Sequence, residues 1–310
     1  IYLPRDRYTT VVRKRMQHIL EKAYGAGSID YTARVSESVL ARLHFVVRTP
    51  PGEPLPVVDP VELERRLAAA TRSWQDELAD AFIEQLGEEQ GSALFKRYAD
   101  AFPEGYKEDV PARAAVADAA RLEALTDDAP MALSLYEPLE ADGTSRRFKV
   151  YHHGSPKSLS EILPVLHDLG VEVVDERPYA VVRDDGFEAW INDFGLRFDA
   201  DGAPDRASLK TRFEEAFAAA WDDRIDRDGF IGLVAAGGLT WRQVALVQAL
   251  MAYQRQLGSS FSQRYTERVL IANAVIVADL VALFEERFDP ERDDDREARV
   301  SRLTGRVTTA

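Results

Sequence analysis

Residues Phe148 to Tyr179 read FKVYHHGSPKSLSEILPVLHDLGVEVVDERPY. Phe148, Val150 and His152 alternate with Lys149, Tyr151 and His153, the period of a strand. Gly154-Ser155-Pro156 is a turn. Leu159, Ile162, Leu163, Leu166 and Leu169 then fall on one face of a helix, and Gly170 stands where a C-cap belongs. Val171 to Val174 returns as a second strand. The Asp184-Asp185-Gly186 turn leads to a third strand with Trp190, Ile191 and Phe194, since Asp-Gly is a hairpin signal. A helix from Ser208 to Trp221 completes the order β-α-β-β-α.

The same order is legible at the N-terminus. Ile1-Tyr2-Leu3 is a short strand, and Val11, Val12, Ile19 and Leu20 mark a helix that ends at Gly25 and Gly27. Ile29, Tyr31, Ala33 and Val35 alternate as a second strand, and Leu40 to Val47 forms a third. After a Pro-Gly loop, Asp59 caps a helix with Pro60 at its first position; Leu63, Leu67, Ala70, Trp74, Leu78 and Phe82 extend it. The two copies share topology rather than residues.

Between them, residues 84–125 read as helical, with breaks at Gly87, Gly91 and the Phe102-Pro103-Glu104-Gly105 turn. Met131 to Leu139 alternates as an added strand, and Ala141-Asp142-Gly143-Thr144 is a hairpin turn into Phe148. From Ile225 onward the pattern is helical, with Thr240 and Ser262 as N-caps. Helix-on-helix packing is the expected use of these segments.

Composition narrows the function. The chain has 310 residues, 45% hydrophobic and 30% charged, with a formal net charge of −14. An acidic chain without a basic stripe argues against electrostatic binding to nucleic acid or anionic membrane. There are no cysteines, which excludes disulfides and thiol catalysis and fits a reducing, cytoplasmic setting. The first residue is Ile, and residues 291–310 are densely charged, so an excised piece of a longer protein with a charged tail is expected.

No GxGxxG or GxxxxGK[ST] occurs; Ala236-Gly237-Gly238-Leu239 reads as a helix-breaking turn. Asp226 to Ile231 matches the middle of a calcium loop, but Arg224 and Ala235 stand where closing carboxylates are needed. His152 and His153, adjacent on a strand, point to opposite faces. They and His44 and His18 read as surface or satisfied core histidines, and Asp193 is indistinguishable from a solvated charge. No catalytic, cofactor-binding or metal-ligating residue is assigned.

The β-α-β-β-α order of residues 148–221, with Pro156 to Leu166 as its first loop and helix, resembles an ACT domain. That family often carries glycine after the loop proline; here the residue is Lys157. The wider string is more specific. Tyr2-Leu3-Pro4-Arg5-Asp6-Arg7-Tyr8, Tyr31 to Ser38, Leu43 to Arg48, Phe102 to Glu108, Gly170 to Tyr179 and Phe261 to Tyr265 resemble, in order, blocks of the large bacterial NAD-specific glutamate dehydrogenases. The resemblance implies an α+β chain. It divides into a first ACT-like unit (1–86), a helical connector (87–129), a second ACT-like unit (130–222), a helical segment (223–290) and a charged tail (291–310).

The resemblance also implies a regulatory and oligomerisation role ahead of a downstream catalytic domain of the same chain. The parent would use NAD to deaminate L-glutamate oxidatively, and this part alone would be inactive. A stand-alone amino-acid sensor is the alternative. In ACT domains, effectors commonly bind near the first loop, which here offers Gly154, Ser155, Lys157 and Ser158. Gly154 allows close backbone approach, and Ser158 heads a helix whose N–H groups suit a carboxylate.

Overall fold

In the computed structural model of the chain, residues 1–35, 38–50, 56–138, 145–198, 206–290 and 295–309 are described. They form two compact units: residues 1–119 with 183–185, and residues 120–182 with 186–310.

The first unit opens with β1 (Tyr2–Pro4), α1 (Thr10–Tyr24), β2 (Ser28–Arg34), β3 (Leu40–Arg48) and α2 (Pro60–Ala69). The sheet is antiparallel in the order β1-β3-β2, with Tyr2 opposite Arg42 and Tyr31 opposite Phe45. Apolar residues recur along α1, so Val12, Met16 and Leu20 face Leu3, Ala41 and Leu43 across a small core. The Thr9 hydroxyl accepts from the Val12 N–H at the start of α1, and Gly25, at φ +59°, ends it. Asp59 caps α2 as its sequence indicates, accepting from the Val61 N–H.

The helix read from Asp59 through Phe82 is in fact two. The Ser73 hydroxyl accepts from the Asp76 N–H while the Asp76 carboxylate accepts from the Ser73 N–H. This reciprocal cap begins a new helix, α3 (Trp74–Leu86), and α4 (Glu88–Tyr98), α5 (Glu104–Asp109) and α6 (Ala112–Glu123) follow. Gly87 separates α3 from α4 at φ +84°. Gly91, expected as a break, lies inside α4. A Cβ there would sit 2.7 Å from the carbonyl carbon of Phe82 and 2.8 Å from Ile83, so the glycine is where two helix backbones touch. Phe102 stacks on Tyr98 and on Tyr106, Trp74 meets Phe102 and Tyr106 edge-on, with ring centroids 4.5 to 6.1 Å apart, and the Trp74 indole N–H donates to the Val110 carbonyl.

The second unit contains β4 (Met131–Tyr136), β5 (Ser145–His153), α7 (Leu159–Asp168), β6 (Glu172–Val182), β7 (Glu188–Arg197) and α8 (Arg206–Trp221). Its antiparallel sheet runs β4-β5-β7-β6. The added strand is therefore present and ends at Tyr136, before Pro138; the hairpin turn expected at 141–144 lies outside the described residues. Gly186, at φ +85°, makes the expected turn between β6 and β7. One sheet face, with Leu135, Phe148, Val150 and Phe194, packs on Ile162, Val165 and Leu166 of α7 and on Leu209, Phe213 and Phe217 of α8.

The same core continues into α9 (Leu233–Gly237), α10 (Trp241–Gln256), α11 (Gln263–Ala272) and α12 (Ala274–Phe288). Thr240 and Ser262 cap α10 and α11. Residues read as a charged tail include a helix, α13 (Arg296–Thr309). Its arginines carry the explanation: Arg299 pairs with Glu286 and Arg306 with Asp279, both on α12. Among the described residues, no helix is long and apolar enough to cross a membrane.

Candidate functional site

The residues singled out for ligand contact form the connection from β5 to α7. Gly154 adopts φ +81°, the left-handed conformation that favours glycine, and its N–H donates to the Glu188 carbonyl at 3.0 Å. A Cβ at Gly154 would meet no atom within 4 Å, so the turn needs the backbone freedom while the space above it stays open. Ser155 and Ser158 are exposed and Lys157 is half-buried.

The helix start differs chemically from a bare anion site. The Ser158 hydroxyl accepts from the Ser160 N–H at 3.2 Å, and Glu161 Oε2 accepts from the Ser158 N–H at 2.9 Å. The Glu161 carboxylate thus already complements the positive end of α7. An incoming carboxylate would meet that charge, with Lys157 as the loop's cation.

The strand alternation that places Phe148 and Val150 in the core also carries His152 there, and His152 is only 2% exposed. Its Nε2 lies 3.0 Å from Asn192 Oδ1, and Asn192 Nδ2 donates to Glu176 Oε1 at 2.9 Å. Because Oδ1 only accepts, Nε2 carries the proton and Nδ1 presents a lone pair. The Ser155 backbone lies nearby, but no group meets Nδ1 with hydrogen-bond geometry. Burial holds the imidazole pKa below its ordinary value, and Lys157 adds to the effect. The residue is therefore a core histidine with one buried acceptor open, neither surface nor fully satisfied. The period-two pattern carried its burial; the open nitrogen had no sequence signal.

The opposite face of the same sheet carries a charge network that sequence did not reveal. Asp193 is 3% exposed, not solvated. Lys149 on β5 and Arg177 on β6 stand directly across from it. Arg147 Nε donates to Asp193 Oδ1 and its NH2 to Asp175 Oδ1, each at 2.9 Å, and the Tyr136 hydroxyl donates to Asp193 Oδ2 at 2.8 Å. Burial raises the Asp193 pKa despite the cations. Burial works against the Arg147 charge, yet Asp175 and Asp193 outweigh it and hold the guanidinium charged. A fully hydrogen-bonded acid of this kind fixes strand register rather than offering a free base.

In the helical part, Asp228 of the calcium-like stretch accepts from the Phe230 N–H at 3.0 Å and from the Gln248 and Gln263 side chains at 2.8 and 3.2 Å. Its oxygens serve a cap and a helix junction. Gly237-Gly238 closes α9, with Gly238 at φ +66°, in agreement with a helix-breaking turn.

Four family models match consecutive segments. They are described as glutamate dehydrogenase ACT2 domain (residues 1–75), helical motif 2 (81–125), ACT3 domain (130–209) and helical motif 3 (225–290). Curated relatives named NAD-specific glutamate dehydrogenase include one from Halomonas elongata, 38% identical over 290 residues, and one from Pseudomonas aeruginosa, 34% identical over 287. Another, from Mycobacterium tuberculosis, is 38% identical over 306 residues. The alignments cover 93 to 94% of this chain but 18% of each relative.

Proposed function

We propose that this chain, which belongs to the ACT and helical-motif region of the NAD-specific glutamate dehydrogenases, acts there as a non-catalytic regulatory and assembly segment. The observation that carries the reading is the ordered series of two ACT and two helical-motif matches, at residues 1–75, 81–125, 130–209 and 225–290. In the parent enzyme, cytoplasmic and oligomeric on this reading, a catalytic domain elsewhere in the chain oxidises L-glutamate. NAD takes the hydride, and water hydrolyses the imine to 2-oxoglutarate and ammonium. NAD and glutamate are held outside these 310 residues. The antiparallel sheets and helical layers of this region hold subunits and transmit effector binding.

A second reading, amino-acid sensing at Gly154, Ser155, Lys157 and Ser158, is favoured by one observation: the space above Gly154, where a Cβ would meet no atom within 4 Å, lies in the same loop as the Lys157 cation. Lys157 suits the carboxylate of an amino acid.

Calorimetric titration of the chain with a panel of amino acids tests the sensing role, with Lys157→Met and Gly154→Val as controls. Heat that is lost in both variants, while their unfolding temperatures stay within a few degrees of the parent chain, supports sensing. No heat with any amino acid leaves the assembly role alone. For that role, removing residues 1–290 from the full-length enzyme should change its subunit number in sedimentation; an unchanged assembly with unchanged kinetics contradicts it.

A further inference from the structure

The first sheet has two unlike faces. Ala41, Leu43 and Phe45 of β3 and Ala33 of β2 belong to the small core beneath α1 and α2. Strand alternation turns Arg42, His44 and Val46 the other way, together with Thr32 and Arg34 of β2. Register sets these in pairs: Arg34 stands directly across from Arg42, and Thr32 from His44. All four are exposed.

Like charges directly opposite each other destabilise a sheet. Further along the face, Asp30 pairs with Arg48, but among the described residues no carboxylate pairs with Arg34 or Arg42. The Arg42 guanidinium instead lies 5.9 Å from the centre of the Tyr2 ring. On a chain of formal net charge −14, this patch is positive.

The second sheet is a reference for what the patch lacks. Its order β5-β7-β6 matches β1-β3-β2, so β7 and β6 hold the places of β3 and β2. On its face turned from α7 and α8, Asp193 of β7 stands across from Arg177 of β6 and accepts from Arg147. That face is covered as well: Tyr151, Tyr179, Val181 and Ile191 are buried, and Arg121, from the end of α6, comes to 5.8 Å from the centre of the Tyr151 ring. The first sheet carries the cations without such a carboxylate. Leu40 and Val46, on either side of Arg42 and His44 along β3, are 43% and 42% exposed.

We propose that this face of β2 and β3 docks an acidic protein surface of the longer dehydrogenase polypeptide, which this chain matches over 18% of its length. A carboxylate of the partner sits between Arg34 and Arg42, and apolar side chains of the partner cover Leu40 and Val46. Guanidinium groups receive a carboxylate through paired N–H donors, and Thr32 and His44 stand beside them as further donors. The partner's charge removes a repulsion that the sheet itself leaves unanswered. A strand face combining arginine, tyrosine and aliphatic side chains has the composition of a protein interface.

Phenylglyoxal, which modifies accessible arginines, tests this with a mass-spectrometric readout at Arg34 and Arg42. Both should react at least about tenfold more slowly in the full-length enzyme than in the chain of residues 1–310, and about 0.5 M salt should narrow the difference. Arg34→Glu with Arg42→Glu, both on the exposed face, should leave His44 of the full-length enzyme as open to diethylpyrocarbonate as it is in the 310-residue chain. Equal arginine reactivity in the two proteins overturns the proposal, as does protection of His44 that survives the charge reversal. Slow reactivity of the 310-residue chain that is lost on dilution overturns it by placing a second copy on the face. Protection of that chain by millimolar inorganic phosphate, to the level of the full-length enzyme, overturns it by making the site one for a free anion. The proposal rests on the assembly reading, which sedimentation of the truncated enzyme judges separately.

Discussion

Gly195 on β7 lies directly beneath the carboxylate of Asp175 on β6: a Cβ at position 195 would stand 2.7 Å from Asp175 Oδ2. The contact falls beside the register shift between Val173 and Asp175, where β6 bulges against β7. It holds Asp175 in reach of Arg147 and so links three strands. Gly195→Ala should displace that carboxylate and destabilise the second unit by about 1–3 kcal/mol. Chemical denaturation checks it, and Asp175→Ala in the same background should recover part of the loss by freeing the space.

Asp193 should be the costliest charge to remove from the sheet. Asp193→Ala leaves Arg147 and Lys149 without their shared carboxylate on a buried face, a change worth about 3–5 kcal/mol when a buried pair loses one member. A double-mutant cycle with Arg147→Met should show strong coupling, the second substitution costing less than it does alone. Additive losses would mean that the network carries no cooperative energy.

Gly91→Ala should destabilise the first unit although alanine is the better helix former by about 1 kcal/mol. The added methyl would stand within 2.8 Å of α3 backbone atoms, which cannot move aside as a flexible side chain can. We expect a net loss above about 2 kcal/mol, read by thermal or urea unfolding. A stabilised protein would show that α3 and α4 do not touch at this glycine.

Acid should weaken the first unit through Asp76. Its hydrogen bond to Arg7, aided by the Ser73 N–H, lowers its pKa from 3.8 to about 2. The unfolded chain then binds this proton before the folded chain does, so the stabilisation is complete above the unfolded value and fades as pH falls from about 4 toward 2. The gap in stability between the chain and Asp76→Asn should narrow over that window. Both groups are about one-third exposed, so the pair's contribution is modest and should shrink in salt.

The sequence carried both β-α-β-β-α orders, because alternation, Gly170, the Asp185-Gly186 turn and the Asp59, Thr240 and Ser262 caps are local signals. It carried the family too, through blocks spread along the chain. What it did not carry were contacts between elements. The split of the helix at Ser73 was hidden by a continuous apolar pattern, and Gly91 looks the same in sequence whether it breaks a helix or lets two helices touch. α13 was masked by a density of charge that helix–helix ion pairs absorb. At the candidate site, Gly154 and Ser158 were legible as turn and cap, and the Glu161 return bond is equally local, the Ser-x-x-Glu pattern of a reciprocal cap; the unpartnered, buried His152 nitrogen arises only from tertiary placement. Asp193 gave no warning of burial, since its neighbours Arg147 and Asp175 come from other strands.

On the proposed role these residues regulate and assemble rather than catalyse, and NADH formation is the test of it. The purified chain, given L-glutamate and NAD, should produce no NADH above the protein-free rate, while the full-length enzyme produces it under the same conditions. Saturable NADH formation by the 310-residue chain alone would contradict the account.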